Sequence, residues 1–366
     1  MRIVIAKKLL STVGGSEAQA RALARALHAR GHEVRLVGLR PAWPRPGIPS
    51  GPRGDLTMRS DGVDHRFLAT PFAAIDGILP TSLIGWRRLA RELAGADVVH
   101  SIAREWAGPL ERATRSIGAA FVETPLVHPG QRAAGDGRAD VARYRRADAV
   151  LALTEWEAGW YRERGARNVY VTGVGAIVSA VPDVPMDPAT VLFVGRKERY
   201  KGYDALRDAA ALVWRARPDA RFHVIGQRRF GGPRPLADPR WHEPGVVGEE
   251  AKAAAYARAT IFCMPSEHET FGHTYLEAWC AKRPVIAGDI PPLREVVREG
   301  IDGVHARNDP ADIARAILAL LGDPARAARM GAAGHARVLE RWTWDAIAER
   351  TERAYADARG LSRAPR

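Results

Sequence analysis

Two glutamates stand eight residues apart in the segment MPSEHETFGHTYLEAWCAKRPVIAG, residues 264–288. The pattern predicts a strand that ends at Pro265 and a helix that begins near Gly272, with Glu269 before the helix and Glu277 inside it. The first backbone amides of a helix have no intrahelical acceptor, and a glycine lets an anion approach them closely. The segment therefore predicts an anion site beside two carboxylates.

Spacing alone does not single out these glutamates, because Glu155 and Glu163 are also eight residues apart. We expect that second pair to be solvated. The pair Glu269 and Glu277 differs by its context, which is a strand, a Pro-Ser pair, a Phe-Gly pair, a helix, and another strand that begins PVIAG. This composite, rather than the spacing, carries the prediction.

A second group of charged residues follows the predicted strand VLFVG, residues 191–195, and precedes a helix. Cations in a strand-to-helix loop at the C-terminal edge of a parallel sheet are well placed to bind a diphosphate. A solvated basic loop is the alternative, but both segments belong to one predicted sheet edge, which favours the diphosphate. The cations of this loop are Arg196, Lys197, Arg199 and Lys201.

Two loops in the N-terminal half also follow predicted strands. Gly14 and Gly15 precede a helix, so backbone amides there can approach an anion. His128 lies in FVETPLVHPGQ, where Pro125 and Pro129 stiffen the chain. A lone loop histidine is more often structural, but its position after a strand favours a site residue.

The elements that must position these residues alternate along the chain. Short β-branched runs alternate with amphipathic helices, of which 16–30 is the clearest, and this order is typical of parallel α/β units. The pattern predicts two doubly wound Rossmann-like sheets facing across a cleft, with a ligand at the C-terminal ends of the strands. The predicted strands are 2–6, 33–38, 96–101, 119–124, 149–154, 168–173, 191–195, 221–226, 260–265, 284–288 and 303–307.

Proline-rich segments mark the divisions of the chain. Residues 40–55 are predicted to form a surface loop, and residues 174–190 an interdomain linker. We therefore expect an N-terminal domain over 1–178 and a C-terminal domain over 179–342. The terminal helix, within 343–366, is expected to cross back onto the N-terminal domain.

Composition indicates a folded, cytoplasmic protein. Of 366 residues, 46% are hydrophobic and 27% are charged, and the two cysteines, Cys263 and Cys280, lie in apolar segments that suit a reducing compartment. No apolar run approaches the roughly 18 residues that span a bilayer. No helix-turn-helix, zinc or RNP-type signature is present, so nucleic acid is not an expected partner.

The net charge of +13 lies mostly in the N-terminal half, where residues 1–180 hold 26 basic and 17 acidic side chains. Compositional bias towards arginine is one explanation, and an anionic partner is the other. The stretch TSLIGWRRLARELAG, residues 81–95, predicts a helix with apolar residues on one side and Arg87, Arg88 and Arg91 on the other. It is either an ordinary surface helix or one that touches an anionic membrane surface, which would place the protein peripherally on the inner membrane face.

Taken together, these segments resemble the family-4 glycosyltransferases, retaining enzymes of the GT-B fold (glycosyl transferases group 1). The resemblance covers nearly the whole chain and implies a nucleoside-diphosphate sugar as donor, which is a substrate, with no cofactor. The matching pieces are GGSEAQARALARALHARGHEV, ADAVLALTEWE, VGRKERYKG, PSEHETFGHTYLEAW with PVIAG, and the tryptophan-bearing terminal helix.

The resemblance assigns donor-binding roles to individual residues. Arg196 and Lys201 are similar to the pair that neutralises the diphosphate and the charge growing on the leaving group. Glu277 resembles the acid that binds the ribose hydroxyls, and Glu269 the one that holds hydroxyls of the transferred sugar. Backbone amides are implied to cradle phosphate at Phe271, Gly272, His273 and Thr274.

The N-terminal half contributes two further implied contacts. Gly15, which follows Gly14, would approach the same diphosphate. His128 resembles a histidine that contacts the transferred sugar near the reacting carbon, although Leu126 and Pro129 stand where many relatives have a second histidine or an aspartate. The implied catalytic set is therefore His128, Glu269, Arg196 and Lys201.

These assignments predict a retaining, metal-independent transfer of a hexose-type sugar from a UDP- or GDP-linked donor to a hydroxyl acceptor. Candidate acceptors are a lipid-linked glycan, a polysaccharide precursor and a natural product. Preorganised cations and amides can stabilise the leaving diphosphate without a metal, and the chain contains no D-x-D motif. Two alternatives remain open, a nucleotide-sugar epimerase on the same fold and a non-catalytic nucleotide-sugar-binding subunit.

Overall fold

The computed structural model describes residues 1–11, 14–40, 54–72, 75, 79, 82–128, 135–177, 180–229 and 231–363. The chain divides into two compact units. Unit 1 comprises Met1–Val174 with Trp344–Arg366, and unit 2 comprises Gly175–Thr343. The division therefore falls inside the predicted linker, whereas most of the predicted proline-rich loop, residues 41–53, lies outside the described residues.

Unit 1 is built on an eight-stranded sheet in the order β3-β4-β2-β1-β5-β6-β7-β8, in which only the pairing of β3 with β4 is antiparallel. The central strands are buried along nearly their whole length, as expected where helices cover both faces of a parallel sheet. The strands are β1 (Arg2–Ala6), β2 (Glu33–Arg40), β3 (Leu56–Ser60), β4 (Val63–Ala69), β5 (Val98–Ile102), β6 (Ala120–Thr124), β7 (Ala149–Ala152) and β8 (Val169–Val171).

Six helices belong to unit 1, among the residues that the structure describes. The last of them follows unit 2 in sequence but packs on the unit 1 sheet, where the Tyr355 hydroxyl and His100 Nδ1 are 2.7 Å apart. Arg30 also pairs with Glu352 at 2.8 Å. The helices are α1 (Gly15–Ala29), α2 (Trp86–Leu93), α3 (Ala107–Ser116), α4 (Arg138–Arg146), α5 (Glu155–Glu163) and α12 (Trp344–Arg363).

Unit 2 contains a six-stranded sheet in the order β11-β10-β9-β12-β13-β14, and all of its described pairings are parallel. The first strand, β9, has β10 on one side and β12 on the other, so the strand order reverses between β9 and β12. Ligands of open α/β sheets bind outside the carboxyl ends of the strands at such a reversal. The strands are β9 (Thr190–Val194), β10 (Arg221–Ile225), β11 (Trp241–Gly245), β12 (Ile261–Met264), β13 (Val285–Gly288) and β14 (Gly303–Ala306).

Helices cover the unit 2 sheet and meet around two stacked tryptophans, Trp279 and Trp342, whose ring centroids are 5.7 Å apart. Gly334 lies against the Trp279 ring, where a Cβ atom would come within 2.1 Å. Both cysteines are free thiols, as expected, and Cys263 is buried in β12. The helices are α6 (Tyr203–Ala216), α7 (Glu249–Arg258), α8 (His273–Cys280), α9 (Pro291–Val296), α10 (Pro310–Gly322) and α11 (Pro324–Arg341).

The predicted α/β architecture with two Rossmann-like units is confirmed, and every predicted strand is present to within two residues at each end. Three strands were not predicted. Strand β3 is an exposed edge strand, and β11 contains Pro244 at the edge of its sheet, so neither carries the buried β-branched run that the prediction relied on. Strand β4 contains Asp64, His65 and Arg66 among its apolar residues, so it also lacks the continuous apolar run by which the other strands were predicted.

Within the described residues, no helix combines the length and apolar character that crossing a bilayer requires.

Candidate functional site

The loops that follow β9 and β12 are joined to one another at the carboxyl edge of the unit 2 sheet. The carbonyl oxygen of Tyr200 accepts hydrogen bonds from the Glu267 amide at 2.7 Å and from the Ser266 hydroxyl at 3.2 Å. Gly202 has a φ of 81°, and a Cβ atom there would approach Pro265 to within 2.5 Å. The two segments singled out in the sequence therefore form one structural unit.

Lys201 and Glu269 form an ion pair between these two loops. Their side chains are only 14% and 10% exposed, so water screens the pair less than it screens a surface pair. The Glu269 carboxylate therefore fixes the position of the Lys201 ammonium. The structure thus brings together two of the four predicted catalytic residues.

Arg196, the third of them, lies in the same unit and is exposed. Its guanidinium donates to the Tyr200 hydroxyl. The Tyr200 ring lies near both cations, with Lys201 Nζ 5.4 Å and Arg196 Cζ 5.8 Å from its centroid. Sequence reasoning missed Tyr200 as a residue that positions both cations, although it lies between them in RKERYKG.

The expectation that Lys197 belongs to the diphosphate-binding cations is wrong. Its side chain is buried and its Nζ lies 2.8 Å from Glu243 Oε1. The other oxygen of Glu243 accepts from the Tyr203 hydroxyl and from Trp241 Nε1, both at 3.0 Å. Lys197 is therefore part of a buried network between β9 and β11, because alternate residues beyond a strand end point to opposite faces.

The N-terminus of α8 lies directly after this loop. Gly272 has a φ of 86°, and a Cβ atom there would come within 2.4 Å of the Tyr275 ring, so only glycine fits. The Phe271 side chain packs edge-on against Trp342 in the core. The backbone amides of residues 271–274 have no acceptor within the described part of the chain, as expected for the first turn of a helix.

His273 also places an imidazole at that first turn. Sequence reasoning had predicted only a backbone contribution from this residue. Its Nε2 is buried and has no hydrogen-bond partner among the described residues. Burial, together with the nearby charges of Lys201 and Lys252, lowers the pKa of His273 to about 4, against the opposing charge of Glu269. The ring is therefore neutral at pH 7. The Thr274 hydroxyl lies 3.6 Å from the Met264 sulfur.

Glu277 lies further along α8 and is almost fully buried. Its Oε1 accepts from Lys252 Nζ at 3.0 Å and its Oε2 from the Tyr256 hydroxyl at 2.8 Å. Burial raises the pKa of Glu277, while the Lys252 ammonium and the Tyr256 hydrogen bond oppose that rise. Neither Lys252 nor Tyr256 was predicted, although their spacing of four residues on α7 places them on one helix face.

The comparison pair, Glu155 and Glu163, is solvated as predicted. The two side chains are 69% and 76% exposed, whereas those of Glu269 and Glu277 are 10% and 5% exposed. Two glutamate pairs with one spacing therefore have opposite environments.

The other candidate residues belong to unit 1. Gly14 precedes α1 as its N-cap residue, with a φ of 125°, and Gly15 is the first residue of α1. The Glu17 carboxylate lies against Gly14, where a Cβ atom would come within 2.3 Å, and it accepts from the Ser16 hydroxyl at 2.8 Å. Lys7 is 3.9 Å from the same carboxylate. The N-terminus of α1 thus already carries one acidic group.

His128 follows β6 and is partly buried. Leu126, two residues earlier, has a φ of 55°, a conformation that is uncommon for a residue with a side chain and that often marks a functional loop. Val127 between them is buried. Pro129, predicted to stiffen this loop, lies outside the described residues.

No group of three or more His, Cys, Asp or Glu side chains in the described part of the chain is arranged to hold a metal ion. A surface depression of about 430 Å³ lies beside β14. Its four charged residues form two ion pairs, Asp289 with Arg294 at 2.7 Å and Glu299 with His305 at 2.9 Å.

Comparison with known proteins identifies the family. Residues 188–323 match the family model described as glycosyl transferases group 1, and residues 14–175 match a glycosyl transferase 4-like domain. The D-inositol 3-phosphate glycosyltransferase of Streptomyces bingchenggensis is 31% identical over 316 residues, which cover 73% of this chain and 68% of that protein. The chain belongs to the group 1 glycosyltransferases.

Other relatives of this group 1 glycosyltransferase carry the same name. The D-inositol 3-phosphate glycosyltransferase of Streptomyces avermitilis is 30% identical over 310 residues, which are 72% of this chain. The match spans 65% of the length of that curated relative.

Solved structures agree on the fold. Sucrose-phosphate synthase from Thermosynechococcus elongatus superposes with a TM-score of 0.78 at 20% identity, over 99% of this chain and 100% of the other. Anabaena HepE in complex with UDP-glucose superposes with a TM-score of 0.74 at 15% identity, over 97% and 99%. The predicted GT-B fold class and the predicted family are confirmed.

Proposed function

We propose that this group 1 glycosyltransferase is a retaining, metal-independent hexosyltransferase whose donor is a nucleoside-diphosphate sugar, linked to UDP or GDP. The observation that carries the proposal is the arrangement at the strand-order reversal of unit 2. There a buried Lys201–Glu269 pair, the exposed Arg196 and the first amides of α8 all lie on the two joined loops.

The chemistry follows from charge. When the bond between the sugar and the diphosphate breaks, negative charge grows on a phosphate oxygen. Lys201, Arg196 and the amides of residues 271–274 can stabilise that charge, because they are held in place before the reaction begins. Glu269 orients the Lys201 ammonium, and we assign it the hydroxyls of the transferred sugar as well.

Glu277 is proposed to bind the ribose. An ionised carboxylate can accept hydrogen bonds from two neighbouring hydroxyls, and Glu277 lies on the same helix whose N-terminus is proposed to bind the phosphates. We assign the acceptor to unit 1, with His128 near the reacting carbon and Gly14 and Gly15 near the diphosphate. Leu126, in its left-handed conformation, would fix the position of His128.

The acceptor hydroxyl is proposed to belong to a phosphorylated polyol. Two observations support this choice, the printed name of the relatives, D-inositol 3-phosphate glycosyltransferase, and the excess of basic residues in the N-terminal half. Lipid-linked glycans, polysaccharide precursors and small natural products are the other acceptors to compare.

The test begins with thermal unfolding in the presence of UDP-, GDP-, ADP- and TDP-sugars. A donor at about 100 times its Kd stabilises the native state by about 2.7 kcal/mol, so the correct donor raises the melting temperature by several degrees. The stabilising donor is then incubated with D-inositol 3-phosphate and EDTA, and the product is examined by NMR. A product with the donor's anomeric configuration, formed in EDTA, supports every part of the proposal.

Other results would contradict parts of the proposal or favour one of the alternative functions. An inverted product would remove the retaining mechanism, and inhibition by EDTA that Mg²⁺ reverses would remove metal independence. An epimerised donor in the absence of acceptor would favour the epimerase. Binding without hydrolysis or transfer, with every acceptor class, would favour a non-catalytic subunit.

We also propose that unit 1 touches an anionic membrane surface through α2 and the neighbouring Arg112 of α3. Arg87, Arg91 and Arg112 are exposed and form no ion pair with a carboxylate among the described residues. The guanidinium carbons of Arg87 and Arg112 lie 5.5 and 4.9 Å from the Trp86 ring centroid, and Leu83 beside them is exposed. Clustered arginines around an indole suit an interface between lipid headgroups and water.

One of the three arginines of the predicted basic face is different. Arg88 donates to the Ala69 carbonyl at 2.7 Å and pairs with Asp55, so it stabilises unit 1 internally. Its assignment to the exposed basic face is wrong.

A further inference from the structure

The proposed ribose-binding carboxylate, Glu277, is held by two side chains from a different helix. Lys252 and Tyr256 are one turn apart on α7, and each donates to a different carboxylate oxygen, at 3.0 and 2.8 Å. A carboxylate fixed at both oxygens cannot rotate about its terminal bond. Its plane is therefore set before any ligand arrives.

This arrangement leaves acceptor positions on the carboxylate. Each carboxylate oxygen has two lone-pair positions, and α7 occupies one on each. Two positions therefore remain, one on each oxygen. Neighbouring hydroxyls of a ribose, which are spaced to reach two oxygens of one carboxylate, match that pair of acceptors.

Lys252 also decides the charge state of Glu277. Burial disfavours the ionised carboxylate, and Lys252 is the cation that contacts it. A protonated Glu277 would present an O–H donor where a second acceptor is needed. Glu249, at 2.9 Å from Lys252 Nζ, holds the ammonium from the solvent side.

Lys252 has little freedom to do anything else. Its side chain is mostly buried, and its ammonium is shared between Glu277 and Glu249. Although burial lowers the pKa of Lys252, the two carboxylates outweigh that effect and raise it. The lysine is therefore charged at pH 7.

We propose that Lys252 is a positioning residue that holds Glu277 as an oriented, acceptor-only carboxylate, and that it thereby gives the donor site its preference for ribonucleotides. The inference rests on the proposed function, since it requires a nucleotide donor at Glu277. Lys252 itself need not touch the nucleotide. Tyr256 supports the same orientation but carries no charge.

The experiment compares nucleotides that differ only in the ribose hydroxyls. UDP, GDP and their 2′,3′-dideoxy analogues are titrated into the wild type, Lys252→Met, Lys252→Arg and Arg258→Met by calorimetry. Arg258 is the matched control, because it is a cation on the same helix that pairs with Asp187 at 3.7 Å and does not contact Glu277.

We expect the wild type to bind one ribonucleotide about tenfold or more tightly than its dideoxy analogue, which is the size of one charge-assisted hydrogen bond. In Lys252→Met the affinity for the ribonucleotide should fall by about tenfold while the affinity for the dideoxy analogue is unchanged, so the preference disappears. Lys252→Arg should restore most of it, and Arg258→Met should match the wild type. If Lys252 had a purely structural role, Lys252→Met would lower the affinity for both nucleotides by the same factor.

The outcomes separate this inference from the proposed function. If the wild type binds none of the nucleotides, the proposed function fails and the inference fails with it. If the wild type binds ribo and dideoxy forms equally, the inference is overturned together with the assignment of Glu277 to the ribose, while nucleotide binding itself still supports the proposed function. If Lys252→Met keeps the preference, only the inference is overturned. Should Lys252→Met fail to fold, Lys252→Gln, which retains a polar end group without the charge, carries the same comparison.

Discussion

Lys201 and Glu269 form an ion pair between the loops that follow β9 and β12, the two strands at which the order of the unit 2 sheet reverses. Neither loop would hold its residue in place alone. Two hydrogen bonds to the Tyr200 carbonyl and the contact of Gly202 with Pro265 join the loops.

The first prediction concerns the two cations. Lys201→Ala should lower turnover by about tenfold to several hundredfold, because it removes one charge-assisted contact to the leaving group and leaves Glu269 buried without its cation. Arg196→Ala should fall in the same range but nearer its lower end, because Arg196 is exposed. Steady-state kcat with saturating donor measures both.

The control for this comparison is Arg215→Ala, an exposed cation of α6 that lies away from both loops. It should leave turnover within about twofold of the wild type, a barrier change of about 0.4 kcal/mol. Near-normal turnover in Lys201→Ala would remove that residue from the mechanism, and the same holds for Arg196→Ala.

The second prediction separates the two buried glutamates. Glu277→Gln should raise the KM for the donor more than it lowers kcat, since ribose contacts are present in both the ground state and the transition state. Glu269→Gln should mainly lower kcat, since it disturbs Lys201 at the leaving group. Initial rates over a range of donor concentrations resolve the two effects.

The chain supplies its own control for that comparison. Glu155→Gln and Glu163→Gln change a pair with the same spacing that is exposed to solvent. Both should behave as the wild type does. If the exposed pair changed the kinetics as much as the buried pair, the assignment of the donor site would be wrong.

The donor-site loops could be predicted from sequence because their signals are local. A strand, a glycine and a helix follow one another within a few residues, so Lys201, Glu269 and Gly272 could be assigned to one sheet edge. The solvated state of Glu155 and Glu163 followed in the same way, because no comparable context surrounds them.

What the sequence did not reveal depends on side-chain direction and on contacts between distant residues. Lys197 looks identical in type and position to its basic neighbours, yet it points into the core towards Glu243. Lys252 precedes Glu277 by 25 residues, so nothing local indicates their contact. Tyr200 acts through its carbonyl and its ring, and neither role follows from residue type.

The third prediction concerns the contact that joins the loops. Gly202→Ala places a Cβ atom within 2.5 Å of Pro265 at a φ of 81°. Left-handed strain of about 1–2 kcal/mol adds to the clash, so we expect destabilisation of about 2–4 kcal/mol and a loss of activity. Gly245→Ala is the matched control, because its φ is 88° and no atom lies within 4 Å.

Chemical denaturation of both variants isolates the clash from the backbone strain. Gly245→Ala should lose only about 1–2 kcal/mol and keep its activity. Equal losses in the two variants would mean that Gly202 is needed for its backbone conformation alone and that its contact with Pro265 is unimportant.

The fourth prediction tests the basic surface formed by Arg87 and Arg91 of α2 and Arg112 of α3. Replacing Arg87, Arg91 and Arg112 by glutamine should reduce flotation with vesicles that contain anionic lipid, by about 1 kcal/mol for each charge removed. Neutral vesicles should bind neither protein. Wild-type binding that is the same for anionic and neutral vesicles, or that the triple variant retains, would rule out an electrostatic membrane contact.

The last prediction concerns acid stability and rests on His100 in β5. Its ring is fully buried, with the Tyr355 hydroxyl and the Thr124 hydroxyl each 2.7 Å from one ring nitrogen. Burial lowers the pKa of His100 to about 3 in the folded state. The unfolded chain takes up the proton first, near pH 6.5, so the stabilising effect is complete above that pH and is lost as the pH falls towards 3.

The loss amounts to about 1.4 kcal/mol per pH unit, or about 2 kcal/mol between pH 6.5 and pH 5. His100→Gln should be less stable than the wild type at pH 7 but should lose less of its free energy of unfolding on going to pH 5. Urea denaturation at the two pH values measures this difference, and His65, whose pKa burial also lowers, titrates in both proteins and cancels. If the two proteins lose the same free energy, then His100 is not the group that makes unit 1 sensitive to acid.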